Sequence, residues 1–188
     1  MTKTSSHPEV AELLARLSEA RRGGGAEETR LEQVRRYREL LAECPTFTPA
    51  LLELGRLLQL TDEPGKEPEQ FLAEIQALLE QAVQVSGREA NTVVELGYFL
   101  DTLCGAPQEA LRLYEEGAAS ALETLEDAWA GLLRGWVHEG SQASLDKALR
   151  LAELAEKLFP DSGRLQGVVH DARQAAGRRP GEGSGRTD

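Results

Sequence analysis

The sequence predicts an all-α fold, built as an array of antiparallel helix pairs stacked in chain order. Three observations predict it. Strand signals are scarce, with few β-branched residues and almost no strict alternation. Apolar residues recur instead at three and four: Val10, Leu13, Leu14 and Leu17 set a template that returns in Leu51, Leu54, Gly55 and Leu58, in Val93, Leu96, Gly97 and Leu100, and in Trp129, Leu132, Leu133 and Trp136. The third observation is a repeated phrase. "LLELGRLL" at 51–58 and "VVELGYFL" at 93–100 place a glycine at the same slot, 42 residues apart, and Leu96 and Leu132 are 36 apart. Self-similarity at a period near forty is the mark of a helical-repeat array.

The elements follow in order. After each first helix comes a break rich in Gly, Pro or polar residues, at 21–28, 61–70, 104–108 and 139–144. A second amphipathic helix then spans approximately 29–43, 69–85, 107–122 and 143–158. The first of these stops before Pro45 and the last before Pro160, because the residue preceding a proline is pushed out of the helical region. A final helix is expected at about 162–176, with Leu165, Val168, Val169 and Ala172 on one side. The tail "GRRPGEGSGRTD" holds no apolar residue and is expected to be disordered, and the short N-terminus at 1–7 is expected to be flexible.

Gly55 and Gly97 need a reason, since a helix-interior glycine costs about 1 kcal/mol relative to alanine. Close packing supplies one. A missing side chain lets the first helix approach the second, and the dispersion and buried area gained can offset a loss of that size. Ala82, Ala110 and Ala148 are expected to serve the same approach from the second helices.

These residues resemble the tetratricopeptide repeat family, whose pattern sets Leu-Gly and an aromatic in the first helix, then Ala and an aromatic in the second, with a closing Pro. The unit at 90–122 matches best, through Leu96, Gly97, Ala110 and Tyr114. The unit at 125–160 follows with Trp129, Leu132, Trp136, Ala148 and Pro160, that at 48–87 keeps Leu54, Gly55 and Ala82, and that at 8–45 is the most degenerate. The resemblance implies a right-handed superhelical array of four such pairs over 8–160, followed by a C-terminal capping helix at 161–176 and the tail at 177–188. It also implies that the first helices line a concave groove. Carried over unit by unit, the lining includes Arg56 and Gln59, then Tyr98 and Asp101, then Arg134 and His138, with Asn91 and Glu95 at its edge in the third unit. Arg56 and Arg134, two forks able to grip carboxylates, with Tyr98 between them, suggest an extended acidic segment as ligand. The carboxylate clamp known in some relatives is missing, because its slots hold Ala11, Leu52, Val94 and Ala130.

Composition narrows the functional class. A net charge of −11 argues against nucleic acid or an anionic membrane as the main partner. The start "MTKTSSHPEV" shows no apolar signal region, and no apolar run approaches the length of a membrane span, so a cytoplasmic protein is expected. Cys44 and Cys104 lack metal-ligand spacing and read as free thiols. His7, His138 and His170 stand far apart with no catalytic partner beside them, and "RGGGAEE" follows no strand and lacks the phosphate-loop lysine. No enzyme, metal site or cofactor is therefore expected. The reading is a protein–protein interaction module that takes a protein or peptide segment in its groove. The alternative is a dedicated immunity protein or export chaperone held against one basic toxin or effector.

Overall fold

The computed structural model describes residues 9–22, 27–61, 63 and 65–178. The expected flexible N-terminus, the glycines of the 21–28 break, Pro64 and most of the expected tail lie outside the described residues. Among those residues there are eight α-helices and no strand: α1 (Val10–Arg22), α2 (Glu27–Glu43), α3 (Thr48–Leu58), α4 (Pro68–Val85), α5 (Ala90–Thr102), α6 (Pro107–Glu139), α7 (Gln142–Leu158) and α8 (Gly163–Gly177). The all-α expectation holds.

Local chemistry explains where they start and stop. Proline opens α4 and α6 and follows Thr48 in α3, where its missing N–H and fixed φ suit a first turn. Ser141 and Ser162 cap α7 and α8, their hydroxyls accepting from the Ser144 and Leu165 N–H groups at 3.2 and 3.1 Å. After α6 the chain reverses through Gly140 at φ +66°, a left-handed conformation that glycine adopts without strain.

The chain forms two compact units, residues 1–120 and 121–188, whose boundary falls within α6. In the first unit consecutive helices pack on one another, α1 on α2, α2 on α3, α3 on α4 and α4 on α5. Their apolar stripes meet in one core that includes Leu40, Leu51, Leu54, Leu58, Ile75, Leu79, Val93 and Phe99, each at most 1% exposed. The glycines sit at the helix crossings. A Cβ on Gly55 would lie 2.9 Å from the Leu79 side chain, and one on Gly97 would lie 3.3 Å from both the Ala110 carbonyl and the Leu113 Cβ. Gly117 completes the set, since a Cβ there would fall 2.5 Å from Val94.

In the second unit the later part of α6 packs with α7 and α8 around Ala130, Leu133, Ala148, Ala152, Leu165 and Val169. Alanine supplies half of these positions, which lets the helices approach closely, and aromatic residues close the edge of the core. Trp129 meets Phe159 edge to face, with ring centroids 5.6 Å apart.

One element departs from the sequence reading. The helices expected at 107–122 and from about 125 are one continuous helix of 33 residues. The joining stretch "ASALETLEDA" at 118–127 carries neither Gly nor Pro and consists mainly of good helix formers, so nothing in it stops the helix.

Candidate functional site

The first unit carries a run of adjoining hollows along its first helices, and Arg56 on α3 borders three of them. One, of about 350 Å³, is walled by Arg56, Gln59 and Leu60 at the end of α3 and by Glu95, Tyr98, Thr102 and Leu103 on and after α5. Its apolar wall is solvent-facing: Leu60 is 69% exposed, Tyr98 53% and Leu103 42%. A second hollow, of about 500 Å³, shares Arg56 and includes Arg21, Glu53, Glu89 and Asn91. The third, of about 230 Å³, lies towards α1 and α2 and includes Gln33 and Tyr37.

Charge along this face is internally balanced. Arg56 places Nε and Nη2 on one Glu95 oxygen, at 2.7 and 2.6 Å, and that bond raises its pKa against the opposing cost of partial burial. Arg21 likewise reaches Glu53 at 2.8 Å. Each first helix therefore extends a guanidinium to a carboxylate of the next, α1 to α3 and α3 to α5. Arg56 stays charged, and its fork is already occupied.

The polar groups that remain are placed locally. The Gln59 amide donates to the Gly55 carbonyl at 3.2 Å and leaves its own oxygen as an acceptor. The Thr102 hydroxyl donates to the Tyr98 carbonyl at 2.7 Å. No catalytic pairing of nucleophile and base is built into these walls.

Of the sequence-derived site residues, Arg56, Gln59 and Tyr98 share one hollow, and Asn91 joins the neighbouring one through Arg56. Asp101 is exposed in the last turn of α5 and lines none of these three hollows. Arg134 and His138 are exposed on the part of α6 that belongs to the second unit, and they line none of them either. Sequence reading placed Glu95 at the groove's edge, where it lines the same hollow, but did not identify it as the partner of Arg56, nor Leu60 and Leu103 as wall residues. A signal existed: Leu60 and Leu103 occupy similar places just after the two repeated phrases.

The loop between α3 and α4 is tied down by charge. Arg38 on α2 grips Glu63 with two bonds of 2.7 Å and also reaches Glu74 on α4, while Lys66 bonds to both carboxylates. The Arg38 bonds, reinforced by Lys66, outweigh the desolvation of Glu63 and hold its carboxyl down at about 2.

Among the described residues no helix is long and apolar enough to cross a membrane. Cys44 is half-buried and Cys104 exposed, both as free thiols. Comparison with known proteins agrees with the helix-pair architecture. An 18.1 kDa protein of Myxococcus xanthus, encoded in the carS 3′ region and described as uncharacterized, is 38% identical over 144 residues, spanning 76% of this chain and 82% of the relative. Residues 5–87, within the first unit, match the model of a family described as the Myxococcota tetratricopeptide repeat protein family. With its repeated Leu-Gly phrase, its stacked helix pairs and these two matches, the chain belongs to the Myxococcota tetratricopeptide repeat family.

Proposed function

We propose that the first unit is a protein-interaction module that seats a segment of a partner protein along α3 and α5, with an apolar side chain of that segment in the Leu60–Tyr98–Leu103 hollow. Family membership supports the general role, since tetratricopeptide repeats act as protein-interaction modules. The observation that carries the finer reading is the hollow itself: three solvent-facing apolar residues wall it, beside an arginine whose charge is already met by Glu95. A ligand carboxylate would have to displace Glu95 from Arg56. An apolar anchor displaces only water, and burying such a side chain contributes about 1.5–3 kcal/mol. The Gln59 oxygen and the Tyr98 hydroxyl at the rim suit the backbone of an extended or helical segment.

Affinity capture from cell lysate tests this, with the intact chain and a Tyr98→Asp variant as baits. Tyr98 is exposed, so its replacement leaves the melting curve within about 0.5 kcal/mol, while loss of a central anchor lowers affinity by about 2 kcal/mol or more. Capture that persists with Tyr98→Asp, or that falls steeply with salt as a carboxylate-reading site would, overturns the apolar-anchor reading. Variants at Arg112 and Arg150, exposed on the second helices α6 and α7, serve as controls and leave capture unchanged. Several captured proteins indicate a module, whereas one partner at near-stoichiometric yield indicates a dedicated inhibitor or chaperone.

A further inference from the structure

We propose, resting on the anchor reading above, that the partner segment is basic: a lysine or arginine beside its apolar anchor lies against Tyr98 and Tyr114 and pairs with Asp101. Charge complementarity selects this occupant. Two guanidiniums of the groove, Arg21 and Arg56, are held by Glu53 and Glu95. Asp101 is exposed and has no hydrogen bond or ion pair among the described residues. What α5 leaves open beside the hollow is therefore a carboxylate, on a chain of net charge −11.

The three side chains meet because of how α5 is built. Tyr98 and Asp101 are three apart, the spacing that makes neighbours on a helix surface. Asp101 also follows Gly97 by four, and helical side chains lean back over the preceding turn. Its carboxylate therefore stands over the spot that Gly97 leaves bare. The Tyr114 ring of α6 borders that spot, since a Cβ on Gly97 would lie 3.2 Å from its Cε1. Tyr98 is exposed and Tyr114 half-buried, so both rings show a part to solvent. Burial raises the Tyr114 phenol, and Asp101, Tyr98 and Glu95 each raise it further, so the field at this edge is negative. Two rings beside a carboxylate suit a cation on an aliphatic stem, with the stem on the rings and the charge near their faces. Tyr98 also walls the apolar hollow, which sets the basic residue and the anchor side by side.

Within its own helix Asp101 is misplaced. It lies in the last turn of α5, where the carbonyl end disfavours negative charge, and no basic residue accompanies it there. Glu89 differs, because it lies at the start of α5, where the helix dipole favours a carboxylate. A cation brought by a partner would meet Asp101 and the carbonyl end of α5 together. The α3 wall offers no such place, since Arg30 of α2 already donates to the Leu60 carbonyl there. The basic residue therefore belongs on the α5 side of the hollow.

Fluorescence anisotropy of the full chain with labelled short peptides tests this. Each peptide holds a central leucine or phenylalanine in an alanine background, with lysine, glutamate or alanine set at every other position in turn. The expected result is a preference for lysine near the apolar residue, about three- to tenfold in dissociation constant over alanine, the size of one exposed ion pair with a cation–π contact. Salt screens only that one pair, so binding should weaken mildly. Asp101→Asn should remove the lysine preference, keep the dependence on the apolar residue and leave the melting temperature unchanged or slightly raised. Asp101→Lys should turn the preference towards glutamate. Apolar-dependent binding without a lysine preference, a glutamate preference in the intact chain, or a lysine preference that survives Asp101→Asn overturns the basic segment and leaves the anchor standing. If no peptide binds, or if Tyr98→Asp leaves binding unchanged, the anchor reading is overturned and the basic segment with it.

Discussion

The helix-interior glycines of the two units look alike in sequence and differ in their surroundings. In the first unit Gly55, Gly97 and Gly117 sit where another helix crosses, each with a neighbour at or inside van der Waals distance of a hypothetical Cβ. In the second unit Gly131 and Gly135 face open space. The propensity cost is the same, about 1 kcal/mol per residue, so the contacts decide what each glycine does. In the first unit the gain is internal and appears as stability. In the second no close contact within the chain offsets it.

The largest effect that would break this contrast lies at Gly97. Leucine there must displace the Ala110 carbonyl and the Leu113 Cβ, both fixed to the α6 backbone, so the α5–α6 crossing itself has to open. Overpacking of this kind costs about 1–3 kcal/mol, seen as a lower melting temperature in thermal unfolding. An unchanged or raised melting temperature would show that Gly97 does not mark a close crossing. Gly55→Leu acts in the same direction against Leu79, which is 0% exposed and has little room to move.

How much of this was legible in the sequence depends on the range of the interaction. Helix type and most helix ends were readable because they rest on local signals: apolar spacing, Pro at first turns and Gly at reversals. The close approach at Gly55 and Gly97 was readable because the phrase repeats. The continuity of α6 was missed because the repeat template matched both of its halves and was given more weight than the absence of any Gly or Pro at 118–127. In the groove, Arg56, Gln59 and Tyr98 could be placed by repeat slot. The bond from Arg56 to Glu95 joins residues on different helices 39 apart, and no local pattern announces it. That one contact turns an open cation into a balanced pair and changes the ligand chemistry the hollow favours.

A second test sharpens the comparison by asking what secures the first unit besides packing. Glu63 is held at about 2 by Arg38 and Lys66, below the ordinary carboxylate value of 4.5. A carboxyl depressed in the folded state binds its proton less readily than in the unfolded chain. Its contribution is therefore fully present above about pH 4.5 and is lost as the pH falls towards 2. Its side chain is only 13% exposed, though Arg38 is 37% exposed and partly screened. Glu63→Gln should lower stability at neutral pH by roughly 1–2 kcal/mol and flatten the acid limb of the melting-temperature profile between those values. An acid limb that keeps its slope in the variant would mean that other carboxylates carry it.

The smallest expected effect is the most discriminating, because its sign reverses between the units. Alanine at Gly131 or Gly135 meets no atom of its own chain, so it should recover the helix propensity that glycine forgoes, about 0.5–1 kcal/mol per site. Alanine at Gly97 recovers the same propensity but pushes on backbone at 3.3 Å, so its net effect should be destabilising or near zero. Thermal unfolding should therefore show a higher melting temperature for Gly131→Ala and Gly135→Ala and not for Gly97→Ala. If instead all three variants stabilise equally, the contrast between the two units fails, and propensity alone sets the cost of every glycine in these helices.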